Sequence, residues 1–209
     1  MKTVYLVRHG ETKSNSMRIV QGMSDELSEL GHKQAVELAG RLKKLKFQHL
    51  LVSDYTRAKQ TVSPLLELVD IKPEYTALVR EARQPTSFQG KSNQSEEFLS
   101  YYRKVEENIH DPDWHFEDEE NFFDVLERVK HLFEIIREKE GDVLIVTHGR
   151  FIIYTVMYVL SGGNLDSNIW KQCRHGFHTY NTGITTLKFF DEYEAWKVLS
   201  FNDIAHFAD

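Results

Sequence analysis

The sequence predicts an α/β fold: a three-layer sandwich with a mostly parallel central sheet, helices on both faces and a small lid insertion. Two observations carry that prediction. Short β-branched runs alternate along the chain with longer segments of helical periodicity. Two of those runs, residues 3–7 and 142–147, also stop abruptly on a histidine followed by a glycine, His9-Gly10 and His148-Gly149. In sheets of this class ligands bind at the carboxyl ends of strands, so both histidines are placed at the same edge.

Residues 3–7 (TVYLV) read as a buried strand. Residues 28–45 read as a helix that Ser28 can cap, with Ala35, Leu38, Ala39, Leu42 and Leu45 on one apolar face. Residues 50–53 read as a second strand, followed by a helix over about 55–69 whose apolar face holds Val62, Leu65, Leu66 and Val69. Pro64 falls inside that pattern and is expected to kink it or to mark a frayed first turn. The stretch from about 83 to 120 differs: it is polar, aromatic and acidic, and holds one helix around 95–108. It reads as the lid of a single domain spanning 1–209. Its acidic run, Glu117 to Glu120, reads as a solvated helix start. Residues 121–139 then form a helix through Val125, Val129, Leu132, Phe133 and Ile136. Residues 142–147 (DVLIVT) are the strongest strand in the chain, 151–160 an apolar helix, and 184–189 and 195–200 the final strands.

Composition bounds the function. Of 209 residues, 41% are hydrophobic and 28% charged, and the net charge is −6. An acidic balance argues against a broad nucleic-acid-binding face, while leaving room for a small basic pocket. The single cysteine, Cys173, forms no internal disulfide and suggests no zinc site. The apolar start is too short for a signal peptide, no segment approaches membrane-spanning length, and no lipidation box is present. The expectation is a cytoplasmic enzyme or binding protein.

Two converging histidines admit a metal site or a phosphate site. Arg8 adjoins His9, and the segment after the second strand carries Arg57 to a comparable position. Guanidinium groups repel a metal dication and bind phosphate bidentately, so phosphate chemistry is favoured, with no metal and no cofactor. A neutral imidazole attacks phosphorus, cations neutralise the oxygens, and a carboxylic acid protonates the leaving group. Helix N-termini after each glycine are further N–H donors for the phosphate.

Leu6-Val7-Arg8-His9-Gly10-Glu11-Thr12 with Asn15 resembles the signature of the histidine phosphatase superfamily, also called phosphoglycerate-mutase-like. The resemblance continues through Gln21-Gly22, Asp25, Leu27-Ser28, Gly31 and Gln34-Ala35, through residues 53–61 (SDYTRAKQT), Val146-Thr147-His148-Gly149, Asn181-Thr182-Gly183 and Phe201-Asn202-Asp203. It implies that His9 is the phosphate acceptor and that Arg8, Arg57 and His148 form the phosphate pocket. It also implies that Asn15, Gln21 and Gly22 line the entrance and that Glu81 is the proton donor, with Glu74 as the fallback acid. The resemblance leaves three function classes: a metal-independent phosphomonoester hydrolase, a cofactor-dependent phosphoglycerate mutase, and a regulatory module that binds a phosphate ligand without turnover. The absence of an Arg-Arg pair and of a longer proline-rich insert favours the hydrolase. Its partner is a small phosphorylated substrate, and a monomer or a homodimer is equally compatible. Phe88, Phe98, Tyr101, Tyr102, Trp114 and Phe116 are expected mostly to pack the lid's own core; one or two facing the pocket would favour a ring-bearing leaving group. Arg80 and Arg83 are the expected contacts for a second anionic group.

Overall fold

Six strands and seven helices make up the computed structural model, which describes residues 1–207. In chain order they are β1 (Lys2–Arg8), α1 (Lys13–Ser16), α2 (Glu29–Leu42), β2 (His49–Ser53), α3 (Thr56–Leu66), β3 (Glu74–Thr76) and α4 (Glu96–Glu107). Then follow α5 (Phe122–Glu138), β4 (Val143–Thr147), α6 (Gly149–Leu160), α7 (Ser167–Cys173), β5 (Ile184–Phe190) and β6 (Ala195–Asp203). The sheet order is β3-β2-β4-β1-β5-β6. The first four strands in that order are mutually parallel, and β5 and β6 close the sheet as an antiparallel pair. The α/β class and the mostly parallel sheet agree with the sequence reading.

The three layers follow from the two-residue period of the strands. Val4, Leu6, Leu51, Val143 and Ile145 face one core, built with α5, α6 and α7. Their sequence neighbours Val7, Leu50, Val52, Leu144 and Val146 face a second core, built with α2 and α3. Each such side chain, fully buried, contributes about 1.5–3 kcal/mol. β4 is buried at every position, which is why its sequence is a continuous apolar run rather than an alternating one. Among the described residues no helix is long and apolar enough to cross a membrane.

The helices begin where their caps place them. The Ser28 hydroxyl accepts the Gly31 N–H at 3.0 Å, and Asn121 with Asp124 forms a capping box at the start of α5. α2 ends at Leu42 instead of 45, because the Leu45 N–H turns to the Leu42 carbonyl in a tightened last turn, yet Leu45 still packs on the apolar face. α3 ends at Leu66, not 69. Pro64 stands two residues before that end, neither in a first turn nor at a break. There its missing N–H removes a bond from a helix that is already terminating. β3 and α7 carried no sequence signal. β3 is a three-residue exposed edge strand, and α7 is a short helix capped by Asp166.

Residues 83–120 pack around a small aromatic core of Phe88, Phe98 and Tyr101, with Tyr102 and Phe116 at its margin and Val20 contributed from outside the segment. Backbone bonds from Val20 to Lys91, from Gly90 to Val20 and from Asn93 to Arg18 tie it to the loop after α1. The acidic run is not a solvated helix start. Glu119 is buried and accepts the Tyr101 hydroxyl at 2.5 Å, and Glu120 is paired with Arg128 at 2.7 Å.

Candidate active site

Strand register assembles the site. β1 and β4 are parallel neighbours with Arg8 opposite Thr147, so the next residues, His9 and His148, emerge side by side with ring centroids 5.1 Å apart. β2 lies beside β4 with Val52 opposite Val146. Its last residue, Ser53, therefore reaches His148, Oγ to Nε2 at 2.7 Å. Arg57 comes from the first turn of α3, and its side chain is almost wholly buried. Its Nε donates to His9 Nε2 at 3.2 Å and its Nη1 to the Gly22 carbonyl at 2.7 Å.

These bonds fix the protonation of His9. Nδ1 lies 2.7 Å from the Gly10 carbonyl, which can only accept, so Nδ1 carries the hydrogen. Nε2 accepts from Arg57 and therefore presents a lone pair. Burial, with the charges of Arg57 and then Arg8, holds the imidazole well below the usual histidine range. His148 is held low in the same way, by burial first and then by Arg57, His9 and Arg8. Two buried nitrogens of this cluster, Arg8 Nε and His148 Nδ1, have no hydrogen-bond partner among the described residues.

Close backbone packing holds the β1–α1 turn. A side chain at Gly31 would put its Cβ 2.0 Å from the Glu11 carbonyl, and one at Gly10 would meet the Gly31 carbonyl at 2.8 Å. The Gly10 N–H is taken by the Thr61 hydroxyl at 2.9 Å, and the His9 carbonyl accepts the Asn181 side chain at 2.9 Å. Gln21 donates to the Thr12 hydroxyl. Asn181 and Thr61 were legible only as parts of motif blocks, and their partners follow from the fold.

Glu81 follows β3 and a single tight turn at Ala77–Val79. Its carboxyl accepts the N–H groups of Arg150 at 3.2 Å, Phe151 at 3.1 Å and Ala82 at 2.9 Å. The first N–H groups of α6 are thus turned to Glu81, and the Gly10 N–H is taken by Thr61, so neither is free as the sequence reading expected. Arg128, which no motif marked, grips the same segment from α5 through the carbonyls of Leu78 at 2.9 Å and Arg80 at 3.0 Å.

A cleft of about 160 Å³ is lined by Asn15, Gln21, Gly22, Arg57, Glu81 and Arg150 among others, while Arg8, His9 and His148 lie behind Arg57 and outside its lining. Two expectations fail here. Glu74 lies on the exposed edge strand β3 and pairs with Lys139 at 3.0 Å. Arg80 does not line the cleft, and its guanidinium is clamped on Asp54, Nε to Oδ1 at 2.6 Å. Arg83 does reach the rim, with its Nε on the Asp118 carbonyl. None of the six aromatics between 83 and 120 lines the cleft; Tyr55 is the aromatic that does. Among the described residues no three His, Cys, Asp or Glu side chains group as metal ligands.

The sequence pattern of the histidine phosphatase superfamily (branch 1) matches residues 4–204. Among curated proteins the chain is 43% identical over 84 residues to the fructose-2,6-bisphosphatase TIGAR of Bos taurus, covering 37% of this chain and 31% of that protein. It is 48% identical over 62 residues to a probable phosphoglycerate mutase GpmB of Cronobacter sakazakii, covering 29% of each. The matched stretch spans only about a third of the length of these curated relatives. Among solved structures, a mycobacterial glucosyl-3-phosphoglycerate phosphatase in complex with VO3 superposes with a TM-score of 0.77 at 26% identity, covering 97% of this chain and 99% of that one. A phosphoserine phosphatase variant of Entamoeba histolytica gives 0.80 at 22% identity, with 99% of each chain covered; at that identity the likeness speaks for the fold alone.

Proposed function

The chain belongs to the histidine phosphatase superfamily, and on that premise we propose that it is a metal-independent hydrolase of small phosphate monoesters acting through a phosphohistidine on His9. The observation that carries this reading is the pair of unpartnered buried nitrogens, Arg8 Nε and His148 Nδ1, beside the His9 lone pair. An unsatisfied buried donor costs about 1–3 kcal/mol; phosphate oxygens in contact with these atoms remove that cost. If Ser53 donates its hydroxyl hydrogen to His148 Nε2, the proton of that ring sits on Nδ1, where it serves as the donor.

The steps follow from the same bonds. As phosphate enters, Arg57 Nε passes from His9 Nε2 to a phosphate oxygen and frees the lone pair. Nε2 attacks phosphorus and the bond to the leaving oxygen breaks. Arg8, Arg57 and His148 stabilise the three equatorial oxygens, and Glu81 gives its proton to the leaving oxygen. Water, giving a proton to Glu81, then attacks phosphorus; the P–Nε2 bond breaks, its electron pair returns to His9 Nε2, and inorganic phosphate departs. Asn15, Gln21 and Gly22 line the approach to the leaving group. The size of the cleft, below the 300–1,000 Å³ range of sites for drug-sized ligands, suits a small metabolite.

The test is phosphate release from p-nitrophenyl phosphate and a panel of alkyl phosphates, with and without chelator, for the wild type and His9→Ala. Turnover that survives chelation and vanishes in His9→Ala is expected. No hydrolysis of any ester, or equal rates in His9→Ala, overturns the proposal. Conversion of 3-phosphoglycerate to its 2-isomer with a bisphosphoglycerate primer, faster than hydrolysis, would assign the mutase reaction instead.

A further inference from the structure

An acid that protonates a leaving oxygen has to be held to within about 0.5 Å of its working position. Yet residues 80–83, which carry Glu81, lie in no helix or strand. Their backbone is held by side chains instead. Arg128, from α5, donates through Nη1 to the carbonyls of Leu78 at 2.9 Å and Arg80 at 3.0 Å, and through Nη2 to that of Glu81 at 3.3 Å. The Thr147 hydroxyl, from the end of β4, takes the carbonyl between them, Val79, at 2.7 Å. Four consecutive carbonyls up to and including the acid thus end on side chains of the two central elements α5 and β4. The Arg128 guanidinium also lies over the Phe151 ring, 5.0 Å from its centroid, and the Phe151 N–H is one of those that hold the Glu81 carboxyl. Arg128 therefore touches both the backbone that carries the acid and the residue that orients it.

Its remaining donors go to Glu120, Nε to Oε1 at 2.7 Å and Nη2 to Oε2 at 2.9 Å, in a charge-assisted fork. Glu120 in turn accepts the Arg83 N–H at 2.9 Å, and its own N–H donates to the Arg83 carbonyl at 3.0 Å. The two ends of the 83–120 segment are thus closed on each other directly behind the acid. All five N–H donors of Arg128 are used, three on carbonyls and two on Glu120. A planar five-donor fork suits that set, whereas an ammonium with three donors can satisfy only part of it. We propose that Arg128 is a positioning residue for the reaction: with Glu120 behind it, it clamps residues 78–81 so that the Glu81 carboxyl faces the leaving oxygen. The inference rests on the phosphatase reading and on Glu81 as its acid.

The experiment compares alkyl phosphates with p-nitrophenyl phosphate in Arg128→Met, Arg128→Lys and Glu120→Gln protein. A displaced acid should slow alkyl phosphates on the order of 10²-fold in Arg128→Met, mainly through kcat. It should leave p-nitrophenyl phosphate nearly unchanged, since that leaving group needs little protonation. Arg128→Lys and Glu120→Gln should lose part of the alkyl rate with the same selectivity, and they decide the matter if Arg128→Met does not fold. In a Glu81→Gln background none of the three should slow alkyl esters further. Hydrogen exchange at the Ala82 and Arg83 amides, whose acceptors are Glu81 and Glu120, should quicken while the β4 amides stay protected. Equal slowing of both kinds of ester overturns the inference, because it marks general damage to the fold. Full alkyl activity in the variants, or an undiminished effect in the Glu81→Gln background, overturns it as well. A Glu81→Gln protein that itself lacks the selectivity would reject the acid assignment, and the inference with it.

Discussion

His9 and His148 are held neutral inside the fold, and that state has a measurable cost at mild acidity. Both rings are about fully buried, and both are held well below 6.5, the ordinary value for the group. In the unfolded chain they protonate as pH falls through 6.5, while in the native protein they do not. The unfolded state therefore binds more protons, and stability present above pH 6.5 is lost as pH falls toward the native pKa values. For a ring that stays neutral in the native state, the loss between pH 7.5 and 5.5 is on the order of 1 kcal/mol, so the pair accounts for roughly 3 kcal/mol. The assay is urea denaturation at the two pH values for the wild type and for a His9→Asn/His148→Gln double variant. Other titrating groups are common to both proteins and cancel in the difference. The wild type is expected to lose roughly 3 kcal/mol more than the double variant. Parallel losses would refute the reasoning, because they would mean that the native rings take up protons in this interval. The same neutral state predicts that kcat/KM shows no acid limb near 6.5 attributable to His9.

Glu81→Gln should slow alkyl phosphates by about 10²–10⁴-fold. It should slow p-nitrophenyl phosphate far less, since that leaving group needs little protonation; equal slowing of both would assign the acid elsewhere. Gly31→Ala drives a Cβ against the Glu11 carbonyl, a backbone atom that cannot move aside. It should cost about 3 kcal/mol in thermal or urea unfolding, whereas Gly40→Ala, whose Cβ meets nothing within 4 Å in α2, should be neutral or stabilising.

The parts of this molecule that were legible in the sequence are those set by local pattern. β1 and β4 are buried on both faces and read as unbroken apolar runs, and Ser28 caps the helix it precedes. The meeting of His9 with His148 was legible because parallel neighbours of similar length end in register. What was hidden depends on which distant group fills a pocket. Glu119 looks like one member of a solvated acidic run until Tyr101 is placed over it. Arg80 and Arg83 look alike until Asp54 is found against the first. Glu74 and Glu81 are both carboxylates near a strand, and only the turn after β3 separates an exposed edge from the cleft. Phe88, Phe98, Tyr101, Tyr102 and Phe116 pack on one another, as expected for most of the aromatics between 83 and 120, whereas Trp114 lies outside that cluster; none of the six lines the cleft.

The central claim is that His9 accepts the phosphoryl group, and quenching the enzyme in alkali during turnover of a labelled ester tests it most directly. The account predicts an acid-labile, alkali-stable phosphohistidine that forms at the rate of turnover or faster and maps to the peptide containing His9, with none in His9→Ala. Turnover without such a species, or a label that maps elsewhere and persists in His9→Ala, would contradict it.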